Sequence, residues 1–206
     1  MRKQIIIAAA LVSALAFAAT GAQAQTRTVE TRIGKITTEV GTPTKESVTK
    51  LYDEMDFQRA CQAYLWGIPA VAMAEFKKAN NDLHLRNGQL TVYASFEEKL
   101  GIVTPNYTTP YVATVADLEK SGPLVLELPK GLTGGMALDV WQRVLTDLGV
   151  VGPDKGNGAK YLFVGPGQAV PQDAGYIVVH STTFNIFYAV RLLDADEAKA
   201  IKELSP

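Results

Sequence analysis

Two periodicities divide the chain. From Thr44 onward Val48, Leu51, Tyr52 and Met55 recur at i, i+3, i+4 and i+7, one apolar stripe of a helix. Asp56 offers an N-cap, and Phe57, Cys61, Tyr64, Leu65 and Ile68 renew the stripe after a phase shift. Gly67-Ile68-Pro69 is expected to kink or end this helix, because Pro69 lacks an N–H and disfavours helix at Ile68. Ala70 to Ala79 restarts it, and Asn80-Asn81-Asp82 stops it. From Thr104 the pattern becomes strand-like, with β-rich runs at 111–118, 124–128, 136–142, 160–164, 176–180 and 184–191. Between them lie the turn clusters Gly122-Pro123, Pro129 to Gly135, Gly149 to Gly158, Gly165-Pro166-Gly167 and Pro171 to Gly175. Leu124, Leu126 and Leu128 alternate with Val125 and Glu127, and Phe184, Ile186, Tyr188 and Val190 share one face.

No helical stretch separates these strands, so parallel crossovers are not expected and an antiparallel sandwich follows. Residues 25–43 read as a flexible leader or a lone strand around Ile33 to Val40. Asp194 with Glu197 has capping-box spacing, and Ala195 to Leu204 predict a short C-terminal helix. The expected fold class is α+β: N-terminal helices packed on an antiparallel β-sandwich, with the short helix at the end. Residues 44–206 form its single domain.

The N-terminus changes the picture of where this domain works. Arg2 and Lys3 precede an apolar run, Ile5 to Phe17, and Ala22-Gln23-Ala24 supplies the small residues of a cleavage site. The run falls short of the roughly 20 residues that span a bilayer, so residues 1–24 are expected to be a cleaved signal peptide and not an anchor. A periplasmic or secreted protein starting at Gln25 is the expectation, with no membrane span in the mature chain. The formal net charge of −1 becomes more negative once Arg2 and Lys3 are gone, and no basic block remains for nucleic acid. Cys61 is the chain's one cysteine, so no internal disulfide closes. Its place on an apolar stripe predicts a small buried hydrophobe.

Candidate chemistry is sparse. The chain holds two histidines, His84 and His180, and no Gly-x-Ser-x-Gly elbow. His84 follows a helix end and is expected to be solvated. His180 ends a strand beside Ser181, Thr182 and Thr183, and bonds to those hydroxyls or to backbone are the expected use. No ligand spacing for a metal is present, and no cofactor is expected. Asp139, on a predicted strand between Leu138 and Val140, would share a face with Trp141, a pairing that resembles a sugar-contact patch. A buried Asp satisfied by backbone donors is the plainer reading. The loop from Gly152 to Lys160 is rich in glycine but lacks a Gly-Lys-Ser/Thr ending and leads into a strand, so it reads as a connector. Thr104 to Val112, TPNYTTPYV, is a rigid, hydroxyl-lined strand start whose prolines suit no central strand. Asn106, Thr108, Thr109 and Tyr111 there, with Trp141 and Arg191, form the expected ligand-contact set.

Several motifs in order carry a resemblance. They are Tyr64-Leu65-Trp66-Gly67-Ile68-Pro69, Thr104 to Tyr111, Gly122-Pro123-Leu124-Val125-Leu126 with Pro129, Leu138-Asp139-Val140-Trp141, Tyr161 to Gly167, and Ser181 to Arg191. From about Asp56 to Leu204 the chain resembles the domain-of-unknown-function 1254 family. The resemblance implies a companion domain of unknown function 1214, jelly-roll-like, whose far C-terminal strands return to complete the first sandwich. This chain stops at Pro206, before any such companion, and carries Thr108 where an aspartate is usual. The resemblance carries no activity with it.

The leading expectation is an exported, non-catalytic cell-envelope module that binds a neutral polar ligand, such as a glycan, or a companion domain on the same or a second chain. The alternative is a hydrolase of envelope saccharides or esters using Asp139 or His180 as acid or base. A third reading is half of a split pair, with exposed strand edges.

Overall fold

The structure, a computed structural model, describes residues 25–95, 97, 109–172 and 175–193. The signal peptide expected over 1–24 and the helix expected over 195–204 lie outside the described residues. The chain divides between Leu65 and Trp66 into two compact units.

In the first unit β1 (Thr26–Thr31), β2 (Gly34–Glu39) and β3 (Thr42–Pro43) form an antiparallel meander. This replaces the flexible leader or lone strand expected over 25–43. The Thr-rich strands pair their hydroxyls as well as their backbones, Thr28 Oγ1 lying 3.0 Å from Thr37 Oγ1. Helix α1 (Lys45–Asp82) begins immediately after β3. Thr44 Oγ1 accepts from the Ser47 N–H at 3.3 Å, and Ser47 Oγ in turn accepts from the Thr37 N–H at 2.8 Å, tying cap to meander. Arg32 forms an ion pair with Glu54 on the same helix.

The helix is not ended at Gly67-Ile68-Pro69, and no separate helix restarts at Ala70. An interior proline costs about 3 kcal/mol. Packing of the following turns offsets it: Met73 and Asn80 are buried, and the Gln142 Nε2 donates to the Pro69 carbonyl at 3.2 Å. Cys61 is exposed, contrary to the buried position expected of it. Its neighbours on the stripe are exposed too: Phe57, Tyr64 and Leu65 keep 63%, 73% and 64% of their surface in solvent. No helix among the described residues is long and apolar enough to cross a membrane.

The second unit contains two sheets. One orders β4 (Thr91–Tyr93), β5 (Tyr111–Asp117), β11 (Asn185–Leu192), β7 (Thr133–Asp139) and β8 (Val144–Gly149), antiparallel throughout. The other orders β10 (Tyr176–His180), β9 (Ala159–Val164) and β6 (Leu124–Leu128). One short helix, α2 (Leu118–Ser121), follows β5. The inward residues of both sheets share one core, with Ala137, Leu148, Tyr161, Phe163 and Ile186 fully buried. Phe163 and Tyr188 stack across it, ring centroids 6.0 Å apart. The α+β class therefore stands.

One pairing departs from the antiparallel expectation: β9 and β10 are parallel, Tyr176 opposite Lys160 through His180 opposite Val164. A parallel return needs a connection of a dozen residues or so, and 165–175 nearly supplies it with no helix among its described residues. Strands β4 and β8 were not expected, because neither Thr91-Val92-Tyr93 nor Val144 to Gly149 alternates clearly.

Candidate functional site

The β7–β8 turn is built around Asp139. Its backbone closes the hairpin, the Asp139 N–H donating to the Arg143 carbonyl at 3.0 Å and the Gln142 N–H to the Asp139 carbonyl at 2.9 Å. Its side chain then fills the turn. Oδ1 accepts from the Trp141 and Arg143 N–H groups at 2.9 and 3.0 Å. Oδ2 accepts from Arg143 Nε at 2.8 Å, from the guanidinium NH2 at 2.6 Å and from Thr182 Oγ1 at 3.3 Å. The residue is 1% exposed. Burial raises its pKa, but the Arg143 backbone and side-chain bonds and the Trp141 N–H outweigh it, holding the carboxyl below the ordinary Asp value. Asp139 is thus the satisfied buried carboxylate of the plainer reading.

The sugar-contact pairing with Trp141 is not formed. Trp141 lies in the turn, not on the strand, and its indole stacks on Trp66 with centroids 4.3 Å apart. His180 is exposed at the end of β10 and does not bond to Asp139. The hydroxyls expected to serve it serve the turn and the backbone instead. Ser181 Oγ donates to the Thr183 carbonyl at 2.6 Å, and Thr183 Oγ1 accepts from the Val140 N–H at 3.2 Å and donates to the Asn185 carbonyl at 2.9 Å.

A second polar cluster adjoins through Asn185. Lys77 Nζ donates to Asp117 Oδ2 at 2.7 Å and to Asn185 Oδ1 at 2.5 Å. Asp117 Oδ1 caps α2 by accepting from the Glu119 N–H at 3.1 Å. Burial pushes the Asp117 carboxyl up, and the Lys77 ammonium and the cap bond more than reverse this, leaving it below the ordinary value. An Asp before Leu118-Glu119 carries a cap signal in sequence. Its cation lies 40 residues earlier, on a helix whose facing only the packed structure sets. Arg143 reaches Asp139 from four residues on, across the turn, and Thr182 from the end of another strand, where it was expected to serve His180. Asp139 thus accepts from five donors and Asp117 from two, and both carboxyls are held below the ordinary value. Among the described residues no three His, Cys, Asp or Glu side chains group as metal ligands.

The remaining expected contacts are divided. Asn106 and Thr108 lie outside the described residues, and Thr109 is half-buried just before β5. Tyr111 and Arg191 are opposite one another on β5 and β11. The Arg191 NH2 donates to the Tyr111 hydroxyl at 2.7 Å, and its guanidinium carbon sits 4.7 Å from that ring's centroid. Asp139 faces Ile186, five residues down β11 from Arg191. At about 3.3 Å per residue, roughly 17 Å of strand separates the two ends, so Trp141 does not join Tyr111 and Arg191 in one patch.

Residues 88–205 match the model of the family described as Protein of unknown function (DUF1254). No curated protein matches the sequence. Among solved structures, the VPA0106 protein of Vibrio parahaemolyticus is similar in fold, at a TM-score of 0.51 and 13% identity over 68% of this chain. The chain spans 34% of that protein's length.

Proposed function

The chain belongs to the DUF1254 family, and on that premise we propose that it is an exported, non-catalytic envelope module that docks a companion domain on the middle turns of α1, Phe57 to Leu65. The observation carrying this is the apolar stripe at 57, 61, 64 and 65. Spaced to bury one helix face, it is exposed at every position. Covering Phe57, Tyr64 and Leu65 is worth about 1.5–3 kcal/mol each, before the cost of association is subtracted. The longer Vibrio protein of similar fold carries polypeptide beyond the shared part, and a companion of that kind is the occupant we assign. Export rests on Arg2, Lys3, the apolar run to Phe17 and the Ala22-Gln23-Ala24 site.

The polar-ligand half of the expectation finds less support, because Tyr111 and Arg191 satisfy each other. The hydrolase alternative finds less still, because both Asp139 oxygens are occupied by donors and His180 does not approach them.

Cys61 sits mid-stripe and is the chain's single cysteine, so maleimide labelling reports the surface without ambiguity. Adding a separately expressed domain of the 1214 type should slow labelling of the mature chain at least tenfold, and Leu65→Asp should restore the free rate. Labelling unchanged at saturating companion, or a complex indifferent to Leu65→Asp, refutes the docking face. Mass measurement of the exported chain should give an N-terminus at Gln25.

A further inference from the structure

The chain holds two Asn-Gly dipeptides, Asn87-Gly88 between α1 and β4 and Asn157-Gly158 at the entry to β9. They match in exposure and backbone. Both asparagines are exposed, both glycines are half-buried, and both glycines take positive φ, +73 and +78. They differ in what holds the asparagine side chain. We propose that Asn157 is a site of spontaneous covalent modification, its side chain closing on the Gly158 nitrogen, and that the fold holds the same dipeptide at Asn87 unreactive.

Glycine favours this reaction because it has no side chain to shield its nitrogen. The Gly158 N–H gives its proton to solvent base, and the nitrogen attacks Asn157 Cγ. The new C–N bond forms as the Cγ–Nδ2 bond breaks, and ammonia leaves with a proton from water. Water then adds to either carbonyl of the five-membered succinimide, giving aspartate or isoaspartate. The sum is amide plus water to acid plus ammonia, with no change of oxidation state. To enter this path the side chain must leave its hydrogen-bond partners. Asn157 gives up one bond, Nδ2 to the Asp154 carbonyl at 3.1 Å, and that carbonyl keeps the Asn157 N–H at 2.9 Å. Asn87 gives up two: Nδ2 donates to the Asp117 carbonyl at 3.0 Å, and Oδ1 accepts from the Asp117 N–H at 2.7 Å. Asp117 is buried, so its N–H is costly to leave bare. Gly88 is fixed as well, its carbonyl accepting from the Tyr188 hydroxyl at 3.2 Å. One hydrogen bond to a buried group corresponds to about tenfold in rate. The isoaspartyl product lengthens the main chain by one methylene just before β9, where Ala159 pairs with Leu128.

This inference rests on neither export nor companion docking. The mature protein would be incubated in H₂¹⁸O at mildly alkaline pH, so that the isotope marks only carboxyls formed before digestion. Trypsin then separates the two sites, cutting after Lys155 and Lys160 for one and after Arg86 and Lys99 for the other. The Asn157 peptide should gain label at least tenfold faster than the Asn87 peptide, as a mixture of isoaspartate and aspartate. In urea, where the Asp117 clamp is gone, the two rates should converge. Asn157→Gln, whose longer side chain closes a six-membered ring far more slowly, should silence its peptide. Folded rates within tenfold of each other overturn the proposal, and so does a ratio that urea leaves unchanged, since sequence and not the fold would then set it. Aspartate without isoaspartate at Asn157 would mean direct hydrolysis and would overturn the ring closure.

Discussion

Replacing Asp139 with alanine removes a carboxylate whose Oδ1 closes two backbone N–H groups and whose Oδ2 takes the Arg143 fork. The two parts differ in worth. Hydrogen bonds from backbone to a buried charge contribute about 1.5–3 kcal/mol each, and losing Oδ1 strands both donors inside the turn. The ion pair adds about 1 kcal/mol or less, because the guanidinium is 62% exposed and water screens it. Asp139→Ala should therefore cost about 3–7 kcal/mol, dominated by the backbone bonds. For a domain of this size that is a fall in Tm of roughly 6–28 °C. Arg143→Ala keeps the Oδ1 bonds and should cost about 1 kcal/mol. Urea unfolding followed by tryptophan fluorescence is the assay, since Trp141 in this turn stacks on Trp66. The pH dependence has a definite sign. A carboxyl held below its ordinary value of about 3.9 contributes fully above that value and loses its contribution as pH falls through the folded pKa. The stability gap between wild type and Asp139→Asn should accordingly narrow on acidification from neutrality toward pH 3. Equal losses from Asp139→Ala and Arg143→Ala would refute the division between cap and ion pair. A gap that widens in acid would refute the direction.

Three further outcomes follow from the same kind of contact. Burial pushes the Tyr188 phenol up to about 12, so wild type should hold full stability to about pH 10 and lose it between there and pH 12. Tyr188→Phe, which forfeits the 3.2 Å bond to the Gly88 carbonyl, should be about 1 kcal/mol less stable at neutrality yet flatter across alkaline pH titrations. Lys77→Met leaves the Asp117 carboxylate buried without its cation and should cost about 2 kcal/mol by equilibrium denaturation, partly relieved in Lys77→Met/Asp117→Asn. Gly135→Ala would put a Cβ 2.1 Å from the Ala189 carbonyl oxygen and 2.8 Å from Val190 Cα, so β7 and β11 must part. A loss of about 3 kcal/mol or more in the same denaturation assay is expected, and near-neutral behaviour would contradict the pairing.

Much of the sandwich is legible because strand faces are written locally. The alternation at 124–128 emerges as Val125 and Glu127 exposed and Leu126 and Leu128 buried. In β11, Ile186, Tyr188 and Val190 face inward as their spacing demands. Helix limits are local too, set by the Thr44 cap at one end and Asn80 to Asp82 at the other. Pro69 misleads because its penalty is local while its compensation is not: burial at Met73 and the Gln142 bond come from strands far along the chain. The stripe from Phe57 to Leu65 reads correctly as a helix face and incorrectly as a buried one, since periodicity states that a face is apolar and not what covers it.

The amino-acid pattern alone determined helix between Thr44 and Asp82, a strand-rich remainder and membership in a family, each a matter of neighbours within a few residues or of motifs in order. Tertiary structure alone decided that β10 runs parallel to β9, that Asp139 belongs to Arg143 and the turn, and that Trp141 and Arg191 stand at opposite ends of the sheet. Each of those depends on which distant segment arrives beside a strand. That choice is made by the free energy of the whole core, which no short window of sequence contains.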